Sequence, residues 1–173
     1  MRSILHKGVP PLIWITGLPG SGKSTLAASL ASHFRTTGTP CIFLDGDELR
    51  EILGRNAASC DYTTESRKGL AQIYARLASN LNQQGLVVVV ATVSLFWEVL
   101  ENNRKTNPNY VEVFLDVDRQ MLHTGDRRLL YDETLKMNLV SELPRNPDLV
   151  LRASNESDRI DWFKELLSFL EIH

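Results

Sequence analysis

The densest chemical signal in the chain is Gly17-Leu18-Pro19-Gly20-Ser21-Gly22-Lys23-Ser24, which satisfies the pattern G-x-x-x-x-G-K-[ST] and runs into Thr25. Glycines at these positions let successive backbone N–H groups turn toward one point, and such a nest holds phosphate oxygens. Lys23 is expected to reach the terminal phosphates of a nucleoside triphosphate, and the Ser24 hydroxyl to coordinate a bridging Mg²⁺. No Asn-Lys-x-Asp element for reading guanine is present, and the apolar run Leu86 to Val93 ends in Ser94 where motor and transport ATPases carry Asp-Glu. What remains is a small kinase that moves the terminal phosphoryl group to a small-molecule acceptor.

Two carboxylates follow the second apolar run, in Asp45-Gly46-Asp47. Residues two apart at a strand end project to one side. In parallel sheets ligands sit at the carboxyl ends of the strands, the edge that carries the phosphate loop. Asp45 is therefore assigned to the metal and Asp47 to the proton of the attacking hydroxyl. The reverse assignment, and a plain polar turn capping a helix from near Glu48, are the alternatives.

The elements that must position these groups are legible from periodicity. Pro11 to Thr16, Cys41 to Leu44, Leu86 to Val93, Tyr110 to Val117 and Asp148 to Leu151 read as strands, and four consecutive valines mark the third as buried on both faces. Lys23 to Phe34 and Ser94 to Lys105 read as helices. Another helix carries Leu70, Ile73, Tyr74, Leu77 and Leu81 at helical spacing, with Thr63 or Thr64 as its N-cap. A last amphipathic helix runs from roughly Glu156 to Leu170. Strands alternating with helices predict an α/β fold, a five-stranded parallel sheet with helices on both faces. Tyr131 to Asn146, with Pro144 and Pro147 at its end, has no firm pattern.

Composition bounds the partners. A chain of 173 residues, 43% hydrophobic and 23% charged, fits a single domain over 1–173. Nineteen basic against 21 acidic side chains leave a net charge of −2, so no global field recruits nucleic acid or an anionic membrane, and any anionic ligand must be held locally. No apolar run approaches the roughly 18 residues of a membrane span, and the opening Met-Arg-Ser-Ile-Leu-His-Lys is too polar for a signal sequence, so a cytoplasmic location is expected. Cys41 and Cys60 are too few for a disulfide framework or zinc site and read as two buried thiols.

Taken together these blocks resemble the adenylyl-sulfate kinases, P-loop kinases that phosphorylate the ribose 3′-hydroxyl of adenosine 5′-phosphosulfate with ATP and Mg²⁺. Gly17 to Thr25 is similar to the family's phosphate loop, and Leu44-Asp45-Gly46-Asp47-Glu48-Leu49-Arg50 to its L-D-G-D-x-x-R signature. Arg67 matches the substrate-side arginine, with Tyr62 five residues before it as the family aromatic. Ala91-Thr92-Val93-Ser94 resembles the segment that bears the family serine, Asp126-Arg127-Arg128-Leu129-Leu130-Tyr131 its D-x-K-G-L-Y element, and Asn146-Pro147-Asp148-Leu149-Val150 its N-P-D-L-V strand entry. The resemblance, from about Leu12 to Leu151, implies a small nucleotide acceptor bound by Asp47, Arg50, Tyr62, Arg67, Ser94 and Arg128, and leaves homodimer formation open. By chemistry alone, Arg50 and Arg67 suit an anionic acceptor because a guanidinium offers a rigid donor fork, though pairing with Glu51 or Glu65 at the surface is the alternative. Tyr62 suits either base stacking or core packing. Ser94 suits a helix cap or a substrate hydrogen bond better than the phosphoserine role described in the family, since in-line transfer needs no covalent intermediate.

Departures fall on the elements that touch substrate. Gly125 stands where the family has an arginine against the adenine of ATP, Leu70 where it has an asparagine, and Leu95-Phe96-Trp97 where a proline and a basic residue follow its serine; Asp132 to Arg145 is shorter than the family lid and has no aromatic residue. Trp14, Trp97 and Trp162 read as packing residues. These differences look more like a divergent branch that includes kinases of other nucleotides, such as cytidine diphosphoramidate. Adenylyl sulfate is the leading acceptor at this level. The same chemistry on another nucleotide-linked acceptor such as a cytidine one, a module that holds nucleotide without transferring phosphate, and a plain NTPase are the rivals.

Overall fold

The computed structural model describes residues 8–54, 64–93, 96–122 and 143–171. Among these, β1 (Leu12–Gly17), β2 (Cys41–Asp45), β3 (Val87–Thr92), β4 (Tyr110–Val117) and β5 (Leu149–Ala153) pair in parallel as one sheet in the order β2-β3-β1-β4-β5. Ile13 pairs with Val89 on one side and Val111 on the other, so β1 is central, and all six of its residues are buried. The phosphate loop thus leaves from the middle of the sheet, where backbone motion is most restricted.

Strand alternation divides the core into two layers. Ile13, Ile15, Val89 and Val113 face α1 (Lys23–Thr36) and the C-terminal α6 (Trp162–Phe169), against Leu30, Phe34 and Leu166. Leu12, Trp14, Val88 and Val90 face the other way, where α3 (Thr64–Gln83) and α4 (Trp97–Thr106) bring Tyr74, Ala78 and Leu100. Each such apolar side chain contributes about 1.5–3 kcal/mol on burial. Helices on both faces of a parallel sheet match the expected architecture.

Three elements differ from the sequence-based expectation. Ile73 and Leu77 of α3 are exposed, and the helix packs instead through Leu70, Ala71, Tyr74, Ala75 and Ala78, whose three alanines allow a close approach to the sheet. Helix α4 starts at Trp97 and not Ser94, because Phe96 is held extended with its ring buried. The last helix is split: Glu156–Asp161 is a 3₁₀ turn, closed by a reciprocal Asn155–Asp158 cap, and the α-helix begins only at Trp162, whose indole N–H donates to the Arg152 carbonyl at 3.1 Å. Two short helices, α2 (Gly46–Ile52) and α5 (Arg119–Leu122), complete the order. Cys41 is buried with a free thiol, which burial pushes up to about 11; Cys60 and Thr63 lie outside the described residues.

Candidate active site

The loop between β1 and α1 is built as the motif requires. Gly22 occupies the cap position of α1 at φ +99°, a left-handed conformation that costs a glycine little. Having no side chain, it leaves the first amides of the helix uncapped, and these carry the positive end of the helix dipole. Ser21 is fully buried inside the loop, its Oγ without a partner among the described residues and close against Gly17, where an added Cβ would stand 2.8 Å from it.

Lys23 folds back over this nest. Its Nζ donates to the Leu18 carbonyl at 2.8 Å, and the residue is only 8% exposed. Burial lowers its pKa from 10.5 to about 8, against the opposing pull of Asp47 and then Asp45. A cation this poorly solvated gains by meeting the anionic tail of a nucleotide.

The carboxylates stand beside it, in a different geometry from the one expected. Asp45 ends β2, buried, and caps α2: its Oδ1 accepts from the Asp47 amide at 2.8 Å. Its Oδ2 accepts from Ser24 Oγ at 2.5 Å. The two residues assigned to the metal are thus in direct contact across 21 positions of sequence. A hydroxyl and a carboxylate are hard oxygen donors that suit Mg²⁺, which takes its other ligands from phosphates and water. Asp47 belongs to the first turn of α2 and not to a strand end, because the chain turns helical at Gly46; the strand rule therefore does not govern its direction. Its exposed carboxylate pairs with Arg50 at 3.5 Å.

Gly46 is required by close approach. A Cβ there would stand 2.9 Å from Thr92 Oγ1 and 3.2 Å from the Ala91 carbonyl, and the Gly46 carbonyl accepts from Tyr74 Oη at 3.2 Å. Gly46→Ala is expected to destabilise the fold by about 1–3 kcal/mol, read as a lower urea midpoint with an unchanged slope. A midpoint equal to wild type would mean that α2 moves off β3 freely.

At the start of α4, α3 presents Arg67 over the Phe96 ring at 5.3 Å, and Lys68 pairs with Glu98 in the first turn of α4. Trp97, read from sequence as a packing residue, is 36% exposed and lies under the Arg145 guanidinium at 3.2 Å, with its indole N–H on the Leu143 carbonyl at 2.9 Å. The structure therefore gathers the loop, Lys23, Ser24, Asp45, Asp47 and Arg50 around the sheet's carboxyl edge, with Arg67 beside Phe96. Tyr62, Ser94, Gly125 and Arg128 lie outside the described residues. Sequence reasoning did not single out Arg145, because nothing local marks an arginine whose aromatic partner belongs to another element.

The adenylylsulphate kinase family model matches residues 9–152. The chain is 40% identical over 133 residues to a cytidine diphosphoramidate kinase of Campylobacter jejuni subsp. jejuni serotype O:2, covering 77% of this chain and 76% of that protein. It is 31% identical over 180 residues to an adenylyl-sulfate kinase of Pseudomonas aeruginosa, covering 98% and 90%. The solved APS kinase CysC of Mycobacterium tuberculosis in complex with AMPPNP and APS superposes with a TM-score of 0.75 at 27% identity, covering 94% of this chain and 98% of that one.

Proposed function

The chain belongs to the adenylylsulphate kinase family and is an ATP-dependent kinase; from that premise we propose that it phosphorylates the ribose 3′-hydroxyl of a nucleotide with an anionic 5′ tail, cytidine diphosphoramidate being the preferred acceptor. The observation that carries the transfer chemistry is the contact of Ser24 Oγ with Asp45 Oδ2 beside the buried Lys23. The acceptor preference rests on the 40% identity to a cytidine diphosphoramidate kinase, together with Leu70 and Phe96-Trp97 in place of the family's usual residues.

In this reading the loop amides and Lys23 hold the β- and γ-phosphates, and Ser24 with Asp45 would hold Mg²⁺. The metal, when bound, neutralises charge on the phosphate oxygens and aligns them for in-line displacement. The acceptor oxygen forms a bond to the γ-phosphorus as the bond to the β–γ bridging oxygen breaks, ADP leaves, and the hydroxyl proton passes to Asp47. Arg50 and Arg67 bind the acceptor's anionic groups, and Tyr62, Ser94 and Arg128 complete its site. Rate enhancement comes chiefly from positioning and charge neutralisation.

A second reading, adenylyl sulfate as the acceptor, is favoured by the family model and by the Pseudomonas aeruginosa relative. Assaying ADP release with ATP, Mg²⁺ and each acceptor in turn separates the two, with the product phosphorylation site located by mass spectrometry. At least tenfold higher kcat/KM with cytidine diphosphoramidate is expected. The opposite order would establish the second reading, and ADP release that no acceptor stimulates would overturn both.

A further inference from the structure

We infer that Arg145, stacked on Trp97, is a further acceptor-binding residue that takes the anionic 5′ tail of the nucleotide; the inference rests on the kinase reading above. The geometry supplies a charge without a counter-charge. Arg50, Arg104, Arg152 and Arg159 each pair with a carboxylate, whereas Arg145 has none among the described residues. Its guanidinium carbon lies 3.2 Å from the centre of the Trp97 ring. Stacking covers one face of the guanidinium and leaves its N–H groups, which point outward in the plane, free to meet phosphate or sulfate oxygens. In a chain of net charge −2, cations of this kind are what draw an anionic ligand to one place.

The arginine is also held in position from both sides. Before it, the Leu143 carbonyl accepts the Trp97 indole N–H at 2.9 Å. After it, Arg104 at the far end of α4 donates to the Asn146 carbonyl at 3.3 Å and to Asp148 at 2.8 Å. Asp148 in turn accepts the backbone N–H of Glu112 at 2.8 Å, and the Glu112 carboxylate stands 3.3 Å from Arg104. Residues 143–148 are therefore fastened along α4 from its first residue to its last turn. A guanidinium presented from such a strap loses little freedom when it binds.

Its location joins it to the site. Trp97 follows Phe96 directly, and the Arg67 guanidinium lies over the Phe96 ring at 5.3 Å, so consecutive aromatic residues at the start of α4 each have an arginine over the ring. The first-turn carboxylate that would oppose an anion there, Glu98, is paired with Lys68.

The test is steady-state kinetics of wild type, Arg145→Ala and Arg145→Lys, with ATP and with cytidine diphosphoramidate and adenylyl sulfate as acceptors, alongside thermal melts. Arg145→Ala is expected to raise the acceptor KM by about 10- to 100-fold, the loss of a charge-assisted contact, with the ATP KM within about twofold, and Arg145→Lys should recover part of the loss. In the absence of ATP, titrating the same acceptors should change the fluorescence of the exposed Trp97 in wild type and much less in Arg145→Ala. An unchanged acceptor KM in an active Arg145→Ala protein would overturn this inference alone. A rise in both Michaelis constants with a lowered melting point would also overturn it, assigning Arg145 to holding the strap. Wild type that phosphorylates neither acceptor would remove the proposed acceptor chemistry and this inference with it.

Discussion

Lys23→Met is expected to reduce phosphoryl transfer by about three orders of magnitude while making the nucleotide-free protein more stable. The two effects have one cause. Lys23 is a buried cation whose pKa is lowered to about 8 by loss of solvent, so its charged form burdens the empty fold and becomes useful only when phosphate oxygens arrive. Methionine keeps the aliphatic stem and removes the charge. Because the folded pKa lies below the unfolded value of 10.5, the penalty is fully present below pH 8 and fades as pH rises from 8 through 10.5. The shift corresponds to about 3 kcal/mol at most, and part of it is offset because the Leu18 carbonyl loses its donor. Chemical denaturation at pH 7 and at pH 10 checks this: the variant's advantage should be present at the first and much reduced at the second. A variant less stable than wild type at pH 7 would show that the Leu18 contact outweighs desolvation. Transfer within tenfold of wild type would take Lys23 out of the mechanism.

Asp45→Asn should lower kcat by about 100-fold or more, since metal-held charge stabilisation is worth several kcal/mol, and should raise the Mg²⁺ concentration needed for half-maximal rate. The amide preserves shape and can still accept the Asp47 N–H that caps α2, so stability should change by less than about 1 kcal/mol. What it removes is the negative charge facing Ser24 and Lys23. In the nucleotide-free protein Asp45 raises the pKa of Lys23, so the variant should lower it further there. Turnover across a MgCl₂ series, with denaturation in parallel, reads both effects. Retention of kcat within threefold at every Mg²⁺ concentration would mean that Asp45 serves the fold alone. Asp45→Ala, which loses the cap as well, should additionally show a lower urea midpoint.

Much of this site was legible in one dimension, for identifiable reasons. The phosphate loop works through backbone amides, so its glycines and the flanking strand and helix must be contiguous in sequence, and Gly17 to Thr25 reads directly. Buried parallel strands have no polar face, and the valines of β3 advertise that. The proposed acceptor side is harder because its contacts join different elements: Arg67 of α3 meets Phe96 at the start of α4, and Arg145, which follows β4 in sequence, meets Trp97. Periodicity also misassigned part of α3, because Ile73 and Leu77 fit an apolar stripe by spacing, whereas the alanine face decides how near the helix can come to the sheet.

The sequence by itself determined the alternation of strands and helices, the anion-binding loop and the identity of both aspartates, since these depend on residue type and on spacings of a few positions. Tertiary structure alone decided that Ser24 meets Asp45, that Asp47 turns into a helix and pairs with Arg50, and that Arg145 rests on Trp97. Such contacts depend on sheet order and on the distances at which helices pack, quantities set by the whole core at once and carried by no short segment of chain.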